Sequence, residues 1–107
     1  MTPTREQVEL AAKAAGLTVL DEYAEGPGIM VRSPIYGREY WNPTSYKPDS
    51  FDLMVACGIE PLFYVTNVLC TKPVGFGRAY YADHNNDKGL AIMWAVFLCA
   101  VEIGRSL

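Results

Sequence analysis

The segment Asp83-His84-Asn85-Asn86-Asp87 is the most polar cluster in the chain and contains its only histidine. An imidazole flanked by two carboxylates could act as a general base or contribute to a site for a divalent metal ion. A metal site needs three or four converging ligands, and the sequence has no further ligands at a recognisable spacing. Asn and Asp side chains before a helix more often cap its first turn, so we predict a helix cap here. A concave polar pocket around His84 would instead favour the alternative, a small enzyme or ligand-binding protein that uses the Asp83–Asp87 cluster.

The three cysteines, Cys57, Cys70 and Cys99, are widely spaced in the sequence. An odd number of cysteines without a CxxC pair fits neither a disulfide framework nor a zinc site. We therefore predict buried, reduced thiols in a cytoplasmic protein. A nucleophile–base pair of Cys70 and His84 is chemically conceivable, but the apolar surroundings of Cys70 predict an inert thiol.

Gly75-Phe76-Gly77 is a glycine-rich motif of a kind that can bind a cofactor. It lacks the third glycine and the following helix of a dinucleotide-binding loop, and we predict a hairpin turn there. No set of residues in the sequence therefore has the spacing that a known reaction requires. We expect a protein that is not an enzyme, with no catalytic residues, no cofactor and no metal ion.

Aromatic and basic residues are interleaved between residues 36 and 47. This composition suits a protein interface or stacking on single-stranded nucleic acid. Aromatic rings beside strands more often pack in the core, as we predict for Tyr40 and Trp41. The formal net charge of −3 disfavours nucleic acid. The candidate protein-binding residues of this segment are Tyr36, Arg38, Tyr46 and Lys47.

Residues 89–101 form an unbroken apolar run. The run lies within a helix that we predict over residues 87–103, with Gly104 closing it. It is too short to span a bilayer, which takes about 20 residues. One face of this helix holds large residues that we assign to the sheet, namely Leu90, Trp94, Phe97 and Val101.

The opposite face of the same helix has no polar residue between its ends. Such a stripe is rarely left in water. We predict that a second copy of the chain covers it in a two-fold dimer. The alternative is that the first or second helix covers it and makes a three-layer sandwich. The candidate protein-binding residues of this stripe are Ile92, Val96 and Cys99.

The order of the predicted elements indicates an α+β fold. We expect a three- to four-stranded, mainly antiparallel sheet with N-terminal, central and long C-terminal helices packed on it. The length of 107 residues indicates a single domain, residues 1–107. Thr4 and Gln7 form a capping-box pattern that predicts the first helix over residues 4–15.

The second helix and the strands follow from caps, turns and β-branched residues. Asp49 or Ser50 can cap the second helix, and Gly58 can end it. We predict a hairpin turn at Gly37 and another over residues 72–77. Strands are predicted over residues 17–20, 29–32, 39–41, 59–69 and 78–82.

Three stretches of the sequence, taken together, resemble a known family. The first is LAAKAAG, residues 10–16. The second combines WNP, residues 41–43, with the aspartate-opened stretch over residues 49–59. The third is AVEIG, residues 100–104, at the end of the last helix. Their order and spacing resemble a family of small tailed-phage and prophage-encoded proteins of uncharacterised function, with the pattern AAKAAG, WNP and AEIG.

The resemblance implies a phage accessory protein in the cytoplasm of a bacterial host, and it brings no catalytic residues to transfer. Phages use many small proteins that act by binding a host protein, including inhibitors of host defence such as anti-CRISPR proteins. The polar residues 2–6 indicate no signal peptide, which agrees with a cytoplasmic location. We therefore expect a non-enzymatic protein-binding module with a protein partner in the host and a homodimeric form, and without a membrane or nucleic-acid partner.

Overall fold

The structure, a computed structural model, describes residues 1–71 and 75–107 of the chain. Its first helix, α1 (Arg5–Ala14), begins with the predicted capping box. The Thr4 hydroxyl oxygen accepts a hydrogen bond from the Gln7 N–H at 3.1 Å, and the Gln7 Oε1 accepts one from the Thr4 N–H at 2.9 Å. Gly16 follows the helix with a positive φ of 76°, which glycine adopts at low cost. The chain therefore turns sharply from α1 into the first sheet.

The first sheet consists of the antiparallel strands β1 (Thr18–Val19), β2 (Ile29–Ser33) and β3 (Gly37–Trp41), in that order. The predicted hairpin around Gly37 is confirmed. Trp41 lies opposite Ile29 and belongs to the core, as predicted. Tyr40 does not, because it is 41 % exposed and its hydroxyl oxygen accepts a hydrogen bond from the Gly28 N–H at 2.8 Å. The side chain of Tyr40 thus fixes the turn before β2 and adds nothing to the core.

The second helix, α2 (Lys47–Cys57), begins earlier than predicted. Its N-cap residue is Tyr46, and a proline occupies the first turn, where the missing N–H is not needed. A cap at residue 49 or 50 was the wrong prediction. Asp49 lies inside the helix, and its carboxylate accepts a hydrogen bond from the Asn42 N–H at 2.9 Å. The helix ends at Gly58, as predicted, where φ is 66°.

The second sheet consists of the antiparallel strands β4 (Glu60–Phe63), β5 (Asn67–Thr71) and β6 (Phe76–Tyr80), in that order. The single strand predicted over residues 59–69 is wrong, because the chain turns back between β4 and β5. The Tyr64 N–H closes this turn by donating to the Asn67 carbonyl oxygen at 2.8 Å. The predicted returning strand is present as β6. Residues 72–74 of the turn predicted over residues 72–77 lie outside the described residues, and the prediction is wrong for Phe76 and Gly77, which pair with β5 as the start of β6.

A short 3₁₀ helix (Tyr81–His84) leads into the last helix, α3 (Lys88–Arg105). The Asp87 carboxylate accepts hydrogen bonds from the Gly89 and Leu90 N–H groups at 2.8 and 3.1 Å. The predicted capping role of this segment is therefore confirmed for Asp87.

Helix α3 is closely approached from two opposite sides. A Cβ atom added at Gly77 on β6 would collide with the α3 backbone at Ala95 and Cys99. A Cβ atom added at Gly104 would collide with the α1 backbone at Leu10. Positions 95 and 104 are about two and a half helical turns apart, and so face opposite ways. The prediction that Gly104 closes the helix is wrong, because α3 continues past it and the glycine lets α1 and α3 pack closely.

Helix α2 covers a third side of α3, around Ile92 and Val96. Val96 is 1 % exposed and Cys99 0 % exposed. The predicted uncovered stripe is therefore wrong, and Val96 and Cys99 cannot form an outer face. The alternative in which the first or second helix covers the stripe is the one that the structure supports, since α1, α2 and the second sheet all pack against α3. Leu90, which we assigned to the sheet, is instead 37 % exposed.

The prediction of an α+β fold with a long C-terminal helix is confirmed. Within residues 1–71 and 75–107, six strands divide between two three-stranded antiparallel sheets, which share one hydrophobic core with three α-helices. Val8 of α1, Val31 of the first sheet, Leu53 of α2, Val68 of the second sheet and Phe97 of α3 are all within this core. The surface between the first sheet and α2 lies outside this core and forms a groove.

Candidate functional site

Large apolar side chains are exposed along a groove between α2 and the turn that joins β2 to β3. The groove has a volume of about 420 Å³. Its apolar walls are Ile35 and Tyr36 from the turn, 82 % and 70 % exposed, and Phe51 and Val55 from α2, 61 % and 62 % exposed. The Ser33 hydroxyl oxygen accepts a hydrogen bond from the Tyr36 N–H at 2.8 Å and holds the turn in place. Monomers rarely expose so many large apolar side chains together, which makes this groove the candidate binding site.

The sequence of α2 places apolar residues on two of its faces. Leu53 and Cys57, one helical turn apart, point into the core and are 1 % and 8 % exposed. Phe51 and Val55 are also one turn apart, but are offset from the first pair by two positions. That offset turns them about 200° away from the core. A helix that packs on the core with one face cannot bury both pairs.

Three carboxylates also line the groove: Glu39 from β3, and Asp49 and Asp52 from α2. Burial raises the pKa of Glu39 above its ordinary value, and the charges of Asp49 and Asp52 raise it further. Burial and the charge of Asp52 raise the pKa of Asp49, against the opposing effect of its hydrogen bond from Asn42. The groove is therefore a region of concentrated negative charge.

No basic side chain within residues 1–71 and 75–107 forms an ion pair with any of these three carboxylates. Arg38 precedes Glu39 in β3, so its side chain points to the other face of the sheet. There it forms an ion pair with Glu22 at 2.7 Å. The negative charge of the groove is thus left without a counter-charge from the described residues.

Large apolar side chains are also exposed on the second sheet and in the turn after β4. They are Leu62, Phe63, Tyr64, Val65 and Phe76, which are 48–93 % exposed. Phe76 also lines a cavity of about 470 Å³, but the charged residues there, Arg78, Glu102 and Arg105, are of both signs. The groove instead combines apolar walls with charge of a single sign.

The structure distributes the predicted protein-binding residues over several places. Tyr36 lines the groove, whereas Arg38 points away from it. Tyr46 is 57 % exposed at the start of α2. Lys47 and Ile92 both line a smaller cavity of about 290 Å³ between α2 and α3. The predicted set therefore does not form one site.

Most of the groove residues escaped the prediction from sequence. Phe51, Glu39, Asp49 and Asp52 were not singled out as binding residues. One signal was present, since apolar residues at positions 51, 53 and 55 cannot share one face of a helix. No local signal placed Glu39 beside α2.

His84 lies in a polar cavity of about 350 Å³ whose lining includes Ser45, Asp83 and Asn85. The centre of its ring is 6.1 Å from that of Trp94. Its Nε2 atom is buried and forms no hydrogen bond within the described residues. Burial lowers the pKa of His84, with the charge of Asp83 opposing the shift. His84 therefore lies in a concave cavity beside polar side chains, as the ligand-binding alternative requires.

The prediction of buried, reduced cysteines is confirmed, since all three are buried and none forms a disulfide. Burial raises the pKa of Cys70 to about 12 and that of Cys99 to about 11. Cys70 lies in β5 and does not line the cavity of His84. The thiolate that a nucleophile–base pair requires is therefore strongly disfavoured.

Two further findings concern the described part of the chain. It contains no group of three or more His, Cys, Asp or Glu side chains arranged to hold a metal ion. None of its helices combines the length and the apolar character needed to cross a membrane. The acidic side chains of the groove are thus not arranged as metal ligands.

The chain was also compared with known proteins. No protein-family model matches it, and neither a curated protein nor a solved structure does so. The arrangement of the side chains is therefore the basis for any functional conclusion.

Proposed function

We propose that the protein is a non-enzymatic binding module whose groove holds a segment of a partner protein. The observation that supports the proposal is the exposure of Ile35, Tyr36, Phe51 and Val55 around one concave surface. Exposed aromatic side chains in a pocket are typical of the residues that dominate binding energy at protein interfaces. A dimer through α3 is not part of this proposal, because the stripe that was to form it lies inside the chain.

The biological setting of the proposal comes from the resemblance to small tailed-phage proteins. In that setting the partner is a protein in the cytoplasm of a bacterial host. Inhibition of a host defence system, as by an anti-CRISPR protein, is one role open to such a module. The phage setting rests on the sequence resemblance, whereas the binding surface rests on the exposed groove. Either proposal can be wrong while the other is correct.

The groove is tested by affinity capture from lysates of phage-infected bacteria with matched variants. The double variant Phe51→Ser, Val55→Ser removes one aromatic and one aliphatic side chain from the groove. The control variant Phe76→Ser, Val65→Ser removes the same two types from β6 and from the turn between β4 and β5, at 64 % and 93 % exposure. We expect the groove variant to lose a captured protein that the control variant retains, with both variants folded by circular dichroism. Loss in the control variant alone would assign binding to the second sheet instead.

A second candidate function is the binding of a small polar ligand in the cavity of His84. The unpaired, buried Nε2 atom supports it, because buried polar atoms are usually hydrogen-bonded. Thermal-shift titrations with monosaccharides and nucleosides would test it in the native protein and in His84→Ala. A ligand that raises the melting temperature of the native protein alone would support this function. Equal shifts in both proteins, or none, would count against it.

A further inference from the structure

The carboxylates of the groove impose a cost on the folded protein. Glu39, Asp49 and Asp52 come from β3 and α2 and line the same groove, where burial and the neighbouring carboxylate charges raise the pKa values of Glu39 and Asp49. Like charges held together in a partly desolvated site repel one another. Such a cost commonly persists where a function requires it.

The fold itself makes little use of these charges. Asp49 has a structural role, because it accepts the hydrogen bond from Asn42 and lies at the positive end of the α2 dipole. Glu39 and Asp52 have no side-chain hydrogen bond and no ion pair within residues 1–71 and 75–107. Two of the three carboxylates are therefore free to receive a group from outside the chain.

The groove combines apolar walls with carboxylates, and this combination limits which chemical group could bind there. A bare metal ion does not fit, because the described carboxylates are not arranged as metal ligands. Phosphate groups of nucleic acids or lipids would be repelled by the same charge. An arginine or lysine side chain fits both parts of the lining, because its aliphatic stem packs on apolar walls while its charged head meets a carboxylate. Arginine also stacks on aromatic rings such as those of Tyr36 and Phe51.

We propose that the partner segment held in the groove carries an arginine or lysine beside an apolar side chain, and that Glu39, Asp49 and Asp52 receive its positive charge. This inference rests on the proposed function, since it specifies the chemistry of the segment that the groove holds. The apolar side chain of the segment packs between the turn and α2, against Ile35 and Val55.

The test uses three dipeptide amides that differ in one side chain. N-acetyl-leucyl-arginine amide carries the proposed pair of side chains. N-acetyl-leucyl-citrulline amide has nearly the same shape without the charge, and N-acetyl-leucyl-glutamate amide reverses the charge. Each is titrated into the ¹⁵N-labelled full chain, and amide chemical shifts report where and how tightly it binds.

We expect the arginine dipeptide to shift the amide signals of Tyr36, Phe51 and Asp52 at millimolar concentrations. The citrulline dipeptide should bind about tenfold more weakly, and the glutamate dipeptide more weakly still. Asp52→Asn and Glu39→Gln should each reduce the preference for arginine over citrulline. The control Glu25→Gln, which neutralises an exposed carboxylate outside the groove, should leave the preference unchanged.

The outcomes separate this inference from the proposed function. Equal binding of the arginine and citrulline dipeptides in the groove would overturn the inference and leave the apolar binding surface standing. Absence of any shift at the groove residues with all three dipeptides would also overturn it. The proposed function would then be judged by the capture experiment with the Phe51 and Val55 variant alone.

Discussion

Helices α2 and α3 are both rich in apolar residues, yet they use those residues in opposite ways. Helix α3 is approached by α1, α2 and the second sheet, and its side chains are buried nearly all round. Helix α2 buries Leu53 and Cys57 and leaves Phe51 and Val55 exposed. The number of neighbours that reach a helix thus decides how much apolar surface it can bury. Exposed apolar residues on the less covered helix are the ones available for binding.

The same substitution in both helices should give the largest contrast. Val96→Lys places a charged group where the side chain is 1 % exposed, and should destabilise the fold by about 5 kcal/mol or more. Val55→Lys places the group at a position that is 62 % exposed, and should change stability by no more than about 0.5 kcal/mol. Urea unfolding followed by circular dichroism measures both. A folded, stable Val96→Lys protein would show that α2 does not cover this side of α3.

Truncating one phenylalanine in each helix should give a smaller contrast of the same sign. Phe97 is 0 % exposed, and Phe97→Ala should cost about 3–5 kcal/mol through lost burial and the cavity it leaves. Phe51→Ala should cost less than about 1 kcal/mol, because that ring is 61 % exposed. Thermal unfolding of the two variants checks the difference. Similar losses in both would mean that Phe51 has a packing role that its exposure does not reveal.

The close approach of α1 to α3 should be sensitive to one methyl group. Gly104→Ala introduces a Cβ atom against the Leu10 backbone, and should cost about 1–3 kcal/mol as the helices move apart. This loss would come despite the higher helix propensity of alanine. Chemical denaturation measures it, and a stabilised Gly104→Ala protein would refute the close contact.

The smallest expected effect on stability comes from the carboxyl group of Glu39, which lies beside α2. Burial and the charges of Asp49 and Asp52 raise the pKa of Glu39 in the folded protein above its ordinary value of 4.5, so this carboxyl group favours the folded state most below pH 4.5. That contribution is lost as the pH rises through the folded-state pKa. Glu39→Gln should therefore gain up to about 0.5 kcal/mol at neutral pH, and the gain should fade towards pH 4.5. Stability measured against pH checks this, and a gain that does not vary with pH would contradict it.

Local signals predicted the parts of the fold that depend on a few neighbouring residues. The capping box at Thr4, the cap at Asp87 and the turn at Gly37 belong to this group. The apolar run over residues 59–69 lacked a glycine or proline signal at its centre, so the turn between β4 and β5 was missed. The covering of Val96 was also missed, because it depends on where α1 and α2 pack.

The candidate site was less predictable than the fold. Tyr36 was singled out by its composition and does line the groove. Glu39 lies ten residues before Asp49, and nothing in that spacing indicates that their side chains meet. Their proximity follows from the pairing of β3 with β2 and from the path of the chain into α2. Contacts between residues on different elements produce no periodic pattern in the sequence, so they cannot be predicted from it in this way.

The burial of Cys57, Cys70 and Cys99 has a practical consequence for measuring binding. Protonated thiols inside a packed core react slowly with maleimides and iodoacetamide at neutral pH. A cysteine introduced by Ala56→Cys, at an exposed residue of the groove that the proposed contacts do not use, should therefore accept a fluorescent label while the native thiols stay unmodified. The native thiols would react only when the core opens. The rate at which the native thiols become labelled therefore measures the rate of unfolding, in the same sample that reports ligand binding.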